Sequence, residues 1–117
     1  MIKDIKRGEL YLANLSPAKG SEQDGIRPIL VIQNNKGNAF SPCIIAAVTA
    51  RAKDNQPTYV EIGTEYGLSR TSYVMLEQIR TIDKSRLLEY IGTLDDEKMQ
   101  EVNTVLAFSL GLDEKEE

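Results

Sequence analysis

A long polar loop between two short apolar segments is the feature that most limits how this chain can fold. The loop, residues 15–28, contains two glycines and two prolines and separates segment 9–13 from segment 29–33. Both flanking segments have the residue pattern of β-strands. A connection of about a dozen residues between strands is unusual, and such loops are typically functional or disordered. Because this one ends in an arginine followed by a proline, Arg27-Pro28, which stiffens the backbone, we favour the functional case.

Short extended segments alternate with turn-forming residues along most of the chain. Apolar or alternating patterns predict strands at residues 9–14, 28–33, 43–49, 58–62, 71–76 and 87–91. Segment 77–83 is ambiguous, and we interpret it as a helical turn that runs into a short strand. Thr93 or Asp95 can cap a final helix that ends near Gly111. One face of this helix is apolar and is predicted to pack on the sheet through Met99, Val102, Val105, Leu106 and Leu110.

Five to seven strands and one terminal helix predict a mainly β fold. We expect a small, strongly curved antiparallel sheet or partial barrel with the helix at its C-terminal end. At 117 residues the chain has the size of one domain. We assign that domain to residues 1–112 and interpret residues 113–117 as a short, flexible acidic tail.

The charge of the chain is distributed unevenly. The net charge is −4, yet residues 1–90 carry 12 Lys or Arg against 10 Asp or Glu, whereas residues 91–117 carry 2 against 8. The body of the protein can therefore present a local basic surface to a polyanion. No apolar run approaches ~18 residues, so no membrane span is expected. The N-terminus lacks the apolar region of a signal peptide, and a single cysteine, Cys43, favours a reducing cytoplasm.

The residue inventory excludes several kinds of catalytic site. There is no histidine and only one cysteine, which excludes Ser-His-Asp triads, Cys-His dyads, zinc fingers and haem ligation. No glycine-rich phosphate loop is present. The acidic run Asp95-Asp96-Glu97 is better explained by the start of the helix than by a metal site.

Two polar side chains at predicted strand ends are the best candidates for chemistry. Arg27 presents a planar cation suited to phosphate, and Thr49 ends an apolar strand at the rim of the sheet. Both also have ordinary explanations: Arg27 could form a surface ion pair with Glu22 or Asp24, and a threonine at a strand end is common. The remaining polar and aromatic candidates carry no specific signal singly, and the tyrosines are expected to be half-buried in the sheet: Ser21, Glu22, Gln23, Gln78, Tyr11, Tyr59 and Tyr73.

Taken together, these residues resemble the MazF/PemK family of bacterial toxin–antitoxin endoribonucleases, and most of all its MazF members from Gram-positive bacteria. The resemblance runs through nearly the whole chain. Its most specific parts are Gly20-Ser21-Glu22-Gln23, Gly25-Ile26-Arg27-Pro28 and the segment Glu77-Gln78-Ile79-Arg80-Thr81-Ile82-Asp83. It implies an SH3-like partial barrel of the MazF/CcdB type that forms a homodimer and is inhibited by a cognate MazE-like antitoxin.

The resemblance also implies a reaction and the residues that perform it. The expected activity is sequence-specific cleavage of single-stranded RNA, chiefly mRNA, without a metal or other cofactor. Arg27 and Thr49 match the catalytic arginine and threonine of the family. Ser21, Glu22, Gln23 and Gln78 match positions that line or gate the RNA site, and Asn34 offers a further amide for base recognition.

The chemistry expected from the resemblance needs no histidine. Attack of a ribose 2′-OH on the adjacent phosphate gives a cyclic phosphate and a free 5′-OH. Arg27 would neutralise the charge that develops on the phosphate, and Thr49 would orient a phosphate oxygen. Glu22 is a candidate base.

Two other functions remain open from the sequence. One is a toxin related to CcdB that poisons a protein such as DNA gyrase, and the other is an RNA-binding regulator without catalytic activity.

Overall fold

The computed structural model describes residues 4–17, 19–20, 24–37, 42–51 and 56–113. These residues form six strands and one α-helix: β1 (Glu9–Asn14), β2 (Ile26–Val31), β3 (Cys43–Thr49), β4 (Tyr59–Gly63), β5 (Ser72–Ile82), β6 (Leu87–Thr93) and α1 (Asp96–Ser109). A 3-10 turn at Lys84–Arg86 leads into β6. The predicted mainly β fold with a C-terminal helix is confirmed.

The six strands form one antiparallel sheet in the order β4-β5-β3-β2-β1-β6. The sheet curls so far that the turn between β4 and β5 contacts β6, at the opposite edge. A Cβ atom at Gly67 in that turn would lie 2.5 Å from the carbonyl oxygen of Ile91, and one at Gly92 would lie 2.0 Å from the carbonyl oxygen of Tyr66. These close backbone contacts make the sheet a half-barrel.

Apolar side chains form a separate cluster on each face of the sheet. Helix α1 covers the first cluster, in which Val102 is fully buried beside Leu10 and Leu30. The second cluster lies on the opposite face and contains Ile5, Tyr11, Ala13, Leu15, Ile29, Val31, Cys43, Ile45, Ile82 and Leu87. The central strands are therefore buried on both sides, which explains their continuously apolar sequences.

Strand β2 begins two residues earlier than predicted. Pro28 was expected at the first position of the strand, but it is the third residue and pairs with Leu12 of β1. Among the described residues, β2 pairs with β3 only from Ile29 onward. The start of β2 is thus an edge on that side, where a residue without an N–H is tolerated.

Strand β5 continues through the segment whose conformation was ambiguous in the sequence. Ala47 pairs with Met75 and the preceding Ala46 pairs with Ile79, so residues 76–78 form a bulge. The bulge interrupts the two-residue alternation of buried side chains, which explains why the sequence suggested a helical turn before the short strand. The predicted helical turn is wrong, because the segment is strand up to Ile82.

Helix α1 starts where the sequence predicted and is capped by Asp95, whose Oδ1 accepts from the backbone N of Lys98 at 2.7 Å. Leu110, predicted on the packed face, lies after the helix and is 55% exposed. Tyr11 is fully buried rather than half-buried, and its hydroxyl donates to Glu9. Tyr59 and Tyr73 are half-buried, as predicted.

Among the helices of the described residues, none has the length and apolar character needed to cross a membrane. Apart from Asp113, the predicted acidic tail at 113–117 lies outside the described residues.

Candidate functional site

Arg27 is the second residue of β2, and its side chain is exposed. Its Nε donates to the backbone carbonyl oxygen of Asp24 at 3.0 Å. Within the described part of the chain, no acceptor contacts the two terminal nitrogens of the guanidinium. The Asp24 carbonyl therefore orients the guanidinium and leaves its two terminal nitrogens available to an anion.

The two ends of the long loop are hydrogen-bonded to each other next to Arg27, which contacts Asp24. The backbone N of Leu15 donates to the carbonyl oxygen of Gly25 at 2.8 Å. The hydroxyl of Ser16 donates to Oδ1 of Asp24 at 2.6 Å and accepts from the N of Gly25 at 3.0 Å. Gly25 has a φ of 80°, a conformation that glycine adopts without strain. These four residues form the loop stem.

The loop stem also holds Asp24 in its ionised form. The hydrogen bond from the Ser16 hydroxyl, followed by the one from the backbone N–H of Gly25, lowers the pKa of Asp24. Both donors favour the carboxylate over the protonated acid.

Two arginines bind the backbone at the N-terminal side of the loop stem. Arg80 of β5 donates to the carbonyl oxygen of Leu15 at 2.9 Å. Arg86 of the 3-10 turn donates to the carbonyl oxygens of Asn14, at 3.1 Å, and Ser16. The guanidinium groups therefore supply hydrogen-bond donors to backbone carbonyls at and just after the end of β1.

Thr49, the last residue of β3, is only 7% exposed. Its Oγ1 accepts a hydrogen bond from the backbone N of Arg51 at 3.0 Å. A hydroxyl that accepts through its oxygen can still donate its proton. Thr49 is therefore a donor to any group that occupies the adjacent space.

The register of the sheet brings Arg27 and Thr49 to the same place. Ile29 pairs with Ala47, so extending this register by two residues puts Arg27 opposite Thr49. Both line a cleft of about 210 Å³ at this end of the sheet, which we call the Arg27 cleft. A guanidinium and a hydroxyl donor in one cleft can bind and neutralise an oxyanion.

The Arg27 cleft contains residues that the sequence did not single out. Arg70, Ser69 and Leu68, from the turn between β4 and β5, line it together with Ser72 at the start of β5. Ser72 donates to the carbonyl oxygen of Arg70 at 2.8 Å. A basic residue in a polar turn carries no signal of its own, because its position depends on the curl of the whole sheet.

The other predicted site residues are spread along the sheet. Gln78 lies in the bulge of β5 and is half-buried. Asn34 lies in the turn after β2, at the opposite end of that strand from Arg27, where its Oδ1 accepts from the N of Lys36 at 2.8 Å. The structure therefore does not bring Asn34 together with Arg27 and Thr49.

Several predictions about the loop lie outside the described residues, namely those for Ser21, Glu22 and Gln23. Of the two ion-pair partners considered for Arg27, only Asp24 lies within the described residues. Arg27 contacts the backbone carbonyl of Asp24, and the Asp24 carboxylate is bonded instead to Ser16 and Gly25. Within the ranges that the structure describes, no three His, Cys, Asp or Glu side chains group as ligands for a metal ion.

Comparison with known proteins identifies the family. The model of the family described as "PemK-like, MazF-like toxin of type II toxin-antitoxin system" matches residues 6–110. Two relatives from Gram-positive bacteria are similar over most of their length. Endoribonuclease EndoA of Bacillus subtilis (strain 168) is 56% identical over 111 residues, covering 92% of this chain and 96% of that protein. Endoribonuclease MazF of Staphylococcus saprophyticus is 53% identical over 111 residues, covering 92% of each chain.

A solved structure has the same fold. An endoribonuclease in complex with its cognate antitoxin, from a mycobacterial species, superimposes with a TM-score of 0.79 at 29% identity, covering 95% of this chain and 99% of that one. The resemblance noted in the sequence is confirmed by the family model and by the two relatives from Gram-positive bacteria. This chain is a member of the PemK-like, MazF-like family of toxins of type II toxin–antitoxin systems.

Proposed function

We propose that this protein is an endoribonuclease toxin that cuts single-stranded RNA, chiefly mRNA, at a short recognition sequence. The observation that carries the proposal is the meeting of Arg27 and Thr49 in one cleft at the end of two neighbouring strands. Their placement suits a phosphodiester, whose charge the guanidinium matches and whose oxygens accept hydrogen bonds. The relatives named as endoribonucleases at 56% and 53% identity support this reading.

The proposed reaction is an intramolecular transesterification. The 2′-oxygen of the ribose forms a bond to the adjacent phosphorus, and the bond from that phosphorus to the 5′-oxygen of the next nucleotide breaks. The products are a 2′,3′-cyclic phosphate and a 5′-OH. The 2′-OH loses its proton and the leaving 5′-oxygen gains one, so the step needs no water. It also needs no metal if protein donors neutralise the charge that builds up on the phosphate.

Arg27 is proposed as the main electrostatic stabiliser of this transition state. Its Nε is already held by the Asp24 carbonyl, so the Nη donors need little reorganisation to meet the phosphate oxygens. A guanidinium with a pKa above ~12 is a poor general base. Arg27 therefore serves as a donor, including to the leaving oxygen. Glu22, in the long loop, is the carboxylate we propose as the base on the grounds of sequence alone.

Thr49 is proposed to orient the same phosphate. Because its oxygen accepts from the backbone N of Arg51, its hydroxyl proton is left to point away from that amide. Its low exposure also restricts the rotamers of its side chain. Arg70 lines the same cleft and supplies a second cation for the RNA backbone.

Recognition of the RNA sequence is proposed to depend on side chains that offer both donors and acceptors to unpaired bases. We propose Ser21, Glu22, Gln23 and Gln78 for this role. Asn34 stays a prediction, and its distance from the Arg27 cleft means that it could read only a nucleotide remote from the cut. Sequencing the 5′-OH ends of transcripts cleaved in vitro gives the recognition sequence that these side chains are proposed to read.

The proposed partners are a cognate antitoxin, a second copy of the chain and the RNA, all in the cytoplasm. The mycobacterial relative was solved with its cognate antitoxin, which supports the first partner. Light scattering of the purified protein tests the homodimer. Inhibition of cleavage by a purified MazE-like antitoxin tests the antitoxin.

The mechanism is tested with an RNA that carries a single 2′-deoxy nucleotide at the cut site. We expect cleavage of the all-ribose RNA in the presence of EDTA and none of the 2′-deoxy RNA, with cyclic phosphate and 5′-OH ends on the products. Cutting of the 2′-deoxy RNA would overturn the transesterification, and loss of cutting in EDTA would overturn metal independence. A failure to cut any RNA, together with inhibition of DNA gyrase, would favour the CcdB-like alternative.

A further inference from the structure

A row of residues crosses four strands beside the Arg27 cleft. Leu12 of β1 pairs with Pro28 of β2 on one side and with Glu89 of β6 on the other. Extending the register of β2 and β3 by one residue beyond the pair of Ile29 and Ala47 places Val48 opposite Pro28 and continues the row. Val48 and Pro28 line the Arg27 cleft, whereas Pro28, Leu12 and Glu89 line a second cleft next to it. The row therefore forms one wall of a groove that runs from β3 to β6.

The opposite wall of this groove is the turn between β4 and β5. Leu68 and Ser69 line both clefts, so each cleft is bounded by the same two residues of the turn. The turn packs closely against β6, where Gly67 approaches Ile91. A wall packed in this way can define a subsite of constant shape.

The two clefts differ in chemistry. The Arg27 cleft contains two arginines, Arg27 and Arg70. The second cleft, about 400 Å³, contains no lysine or arginine among the described residues that line it, and its one charged side chain is the carboxylate of Glu89. Its apolar lining comes mainly from Leu12, Pro28, Leu68 and Ile91. We call it the Glu89 cleft.

We propose that the Glu89 cleft binds a base of the RNA next to the phosphate held in the Arg27 cleft, and that it selects a base with an exocyclic amino group. The proposal rests on the RNA substrate proposed above. A cationic cleft beside an apolar one matches the alternation of phosphate and base along a single strand, whose bases can be turned out and bound on their pairing edges.

The chemistry of the Glu89 cleft determines which bases fit. A carboxylate only accepts hydrogen bonds, so it pairs with the amino group of cytosine or adenine, or with the N1–H and amino group of guanine. Uracil presents carbonyl oxygens on either side of its single N–H, and these oxygens repel a carboxylate. The hydroxyl of Ser69 can both donate and accept, so it adds a contact without changing this preference. Glu89 is therefore the specificity residue and Ser69 a supporting one.

Cytidine and uridine 5′-monophosphate are a matched pair of probes, because they share the phosphate and ribose and differ only at the pairing edge. Binding is followed by amide chemical shifts of the purified protein. We expect cytidine monophosphate to shift the amides of Leu68, Ser69 and Ile91 and to bind roughly tenfold more tightly than uridine monophosphate, the discrimination of one good side-chain–base pair. Glu89→Gln, whose amide can donate to a carbonyl oxygen, should remove most of this difference.

Glu65→Gln is the matched control, since it makes the same change at an exposed glutamate in the same turn that lines neither cleft. It should leave the preference for cytidine intact. The proposal is overturned if millimolar cytidine monophosphate shifts no amide of the Glu89 cleft, or if the preference survives in Glu89→Gln.

Cleavage of a random RNA pool separates this proposal from the proposed function. Uracil should be depleted at one position next to the cut for the unmodified protein and for Glu65→Gln, and should become tolerated for Glu89→Gln. If the unmodified protein, Glu65→Gln and Glu89→Gln all cut RNA with the same uracil content at that position, the proposed base subsite is wrong but the proposed endoribonuclease activity is supported. If it cuts no RNA but discriminates the two nucleotides through Glu89, the subsite stands and the proposed function is wrong.

Discussion

The guanidinium of Arg27 is held by the backbone of Asp24, whose carbonyl oxygen accepts from Nε at 3.0 Å. The carboxylate of Asp24 accepts hydrogen bonds from Ser16 and Gly25 in the loop stem. The hydrogen bond of Arg27 to Asp24 is therefore made to the backbone carbonyl and orients the guanidinium. The loop stem is therefore a positioning device for the cation that we place at the phosphate.

Arg27→Lys tests whether the shape of the cation matters as well as its charge. Lysine keeps the charge but loses both Nε and the planar fork. We expect kcat to fall by about 10²-fold or more, the effect of losing a donor that acts in the transition state. The melting temperature should not change, because the side chain is exposed. Arg51→Lys, at an exposed arginine outside the Arg27 cleft, is the control, and near-normal cleavage by Arg27→Lys would remove Arg27 from its role.

Ser16→Ala tests the loop stem through the pKa of Asp24. The hydrogen bond from Ser16 is the largest cause that lowers this pKa, so its removal should raise the Asp24 pKa, as measured by NMR titration of the carboxyl carbon. Because the pKa is depressed in the folded state, Asp24 stabilises the fold above the ordinary carboxyl pKa of about 3.9, and the contribution is lost as the pH falls through the folded-state value.

Ser16→Thr keeps a hydroxyl and is the control for this variant. It should retain the low pKa of Asp24 and cut RNA faster than Ser16→Ala. An unchanged Asp24 pKa in Ser16→Ala would show that the hydroxyl does not stabilise the carboxylate.

The sequence allowed prediction of the elements whose signals are local. Strands β1 and β3 and the Asp95 cap of α1 were predicted at the residues where they occur, because burial and capping act through adjacent positions. The meeting of Arg27 and Thr49 in one cleft could be expected only from the family resemblance, since it depends on the register between β2 and β3.

Other features of the site depend on contacts between distant segments and carry no local signal. Arg70 and Glu89 lie on either side of one groove because the turn between β4 and β5 folds back onto β6. The bulge that holds Gln78 is defined by the register between β3 and β5, two strands that are distant in sequence. A single sequence does not reveal either relationship.

Tyr66 and Asp95 give the turn between β4 and β5 a measurable pH dependence. The Tyr66 hydroxyl donates to Oδ2 of Asp95 at 2.9 Å. Burial, followed by this hydrogen bond, raises the pKa of Tyr66 to about 12. The neutral phenol is therefore favoured by the fold, and its stabilisation should be complete below the ordinary tyrosine pKa of about 10 and lost as the pH rises toward 12.

The measurement is the free energy of unfolding in urea between pH 8 and pH 12 for the unmodified protein and Tyr66→Phe. The difference between the two should shrink above pH 10. Asp95→Asn is a second variant that tests the Asp95 contact, because asparagine is also a good N-cap but carries no charge. In that variant the pKa of Tyr66, followed by phenolate absorbance, should fall; an unchanged value would mean that the Asp95 contact does not contribute.

Gly92→Ala tests whether the closed half-barrel is required for stability and for the site. A Cβ at this position would lie 2.0 Å from the backbone oxygen of Tyr66, so the strand and the turn must separate. We expect a loss of about 1–3 kcal/mol in the free energy of unfolding, as for other overpacked sites. Gly37→Ala is the control, because its Cβ would meet only the flexible side chain of Gln33 at 3.2 Å.

The same variant should weaken RNA binding by more than its effect on stability explains. The displaced turn carries Arg70 and Ser69, so both the Arg27 cleft and the Glu89 cleft would widen at temperatures where the protein is still folded. Affinity for an uncleavable 2′-deoxy RNA, measured well below the melting temperature, distinguishes the two effects. If Gly92→Ala binds this RNA as tightly as Gly37→Ala does, the turn does not form a wall of the binding groove.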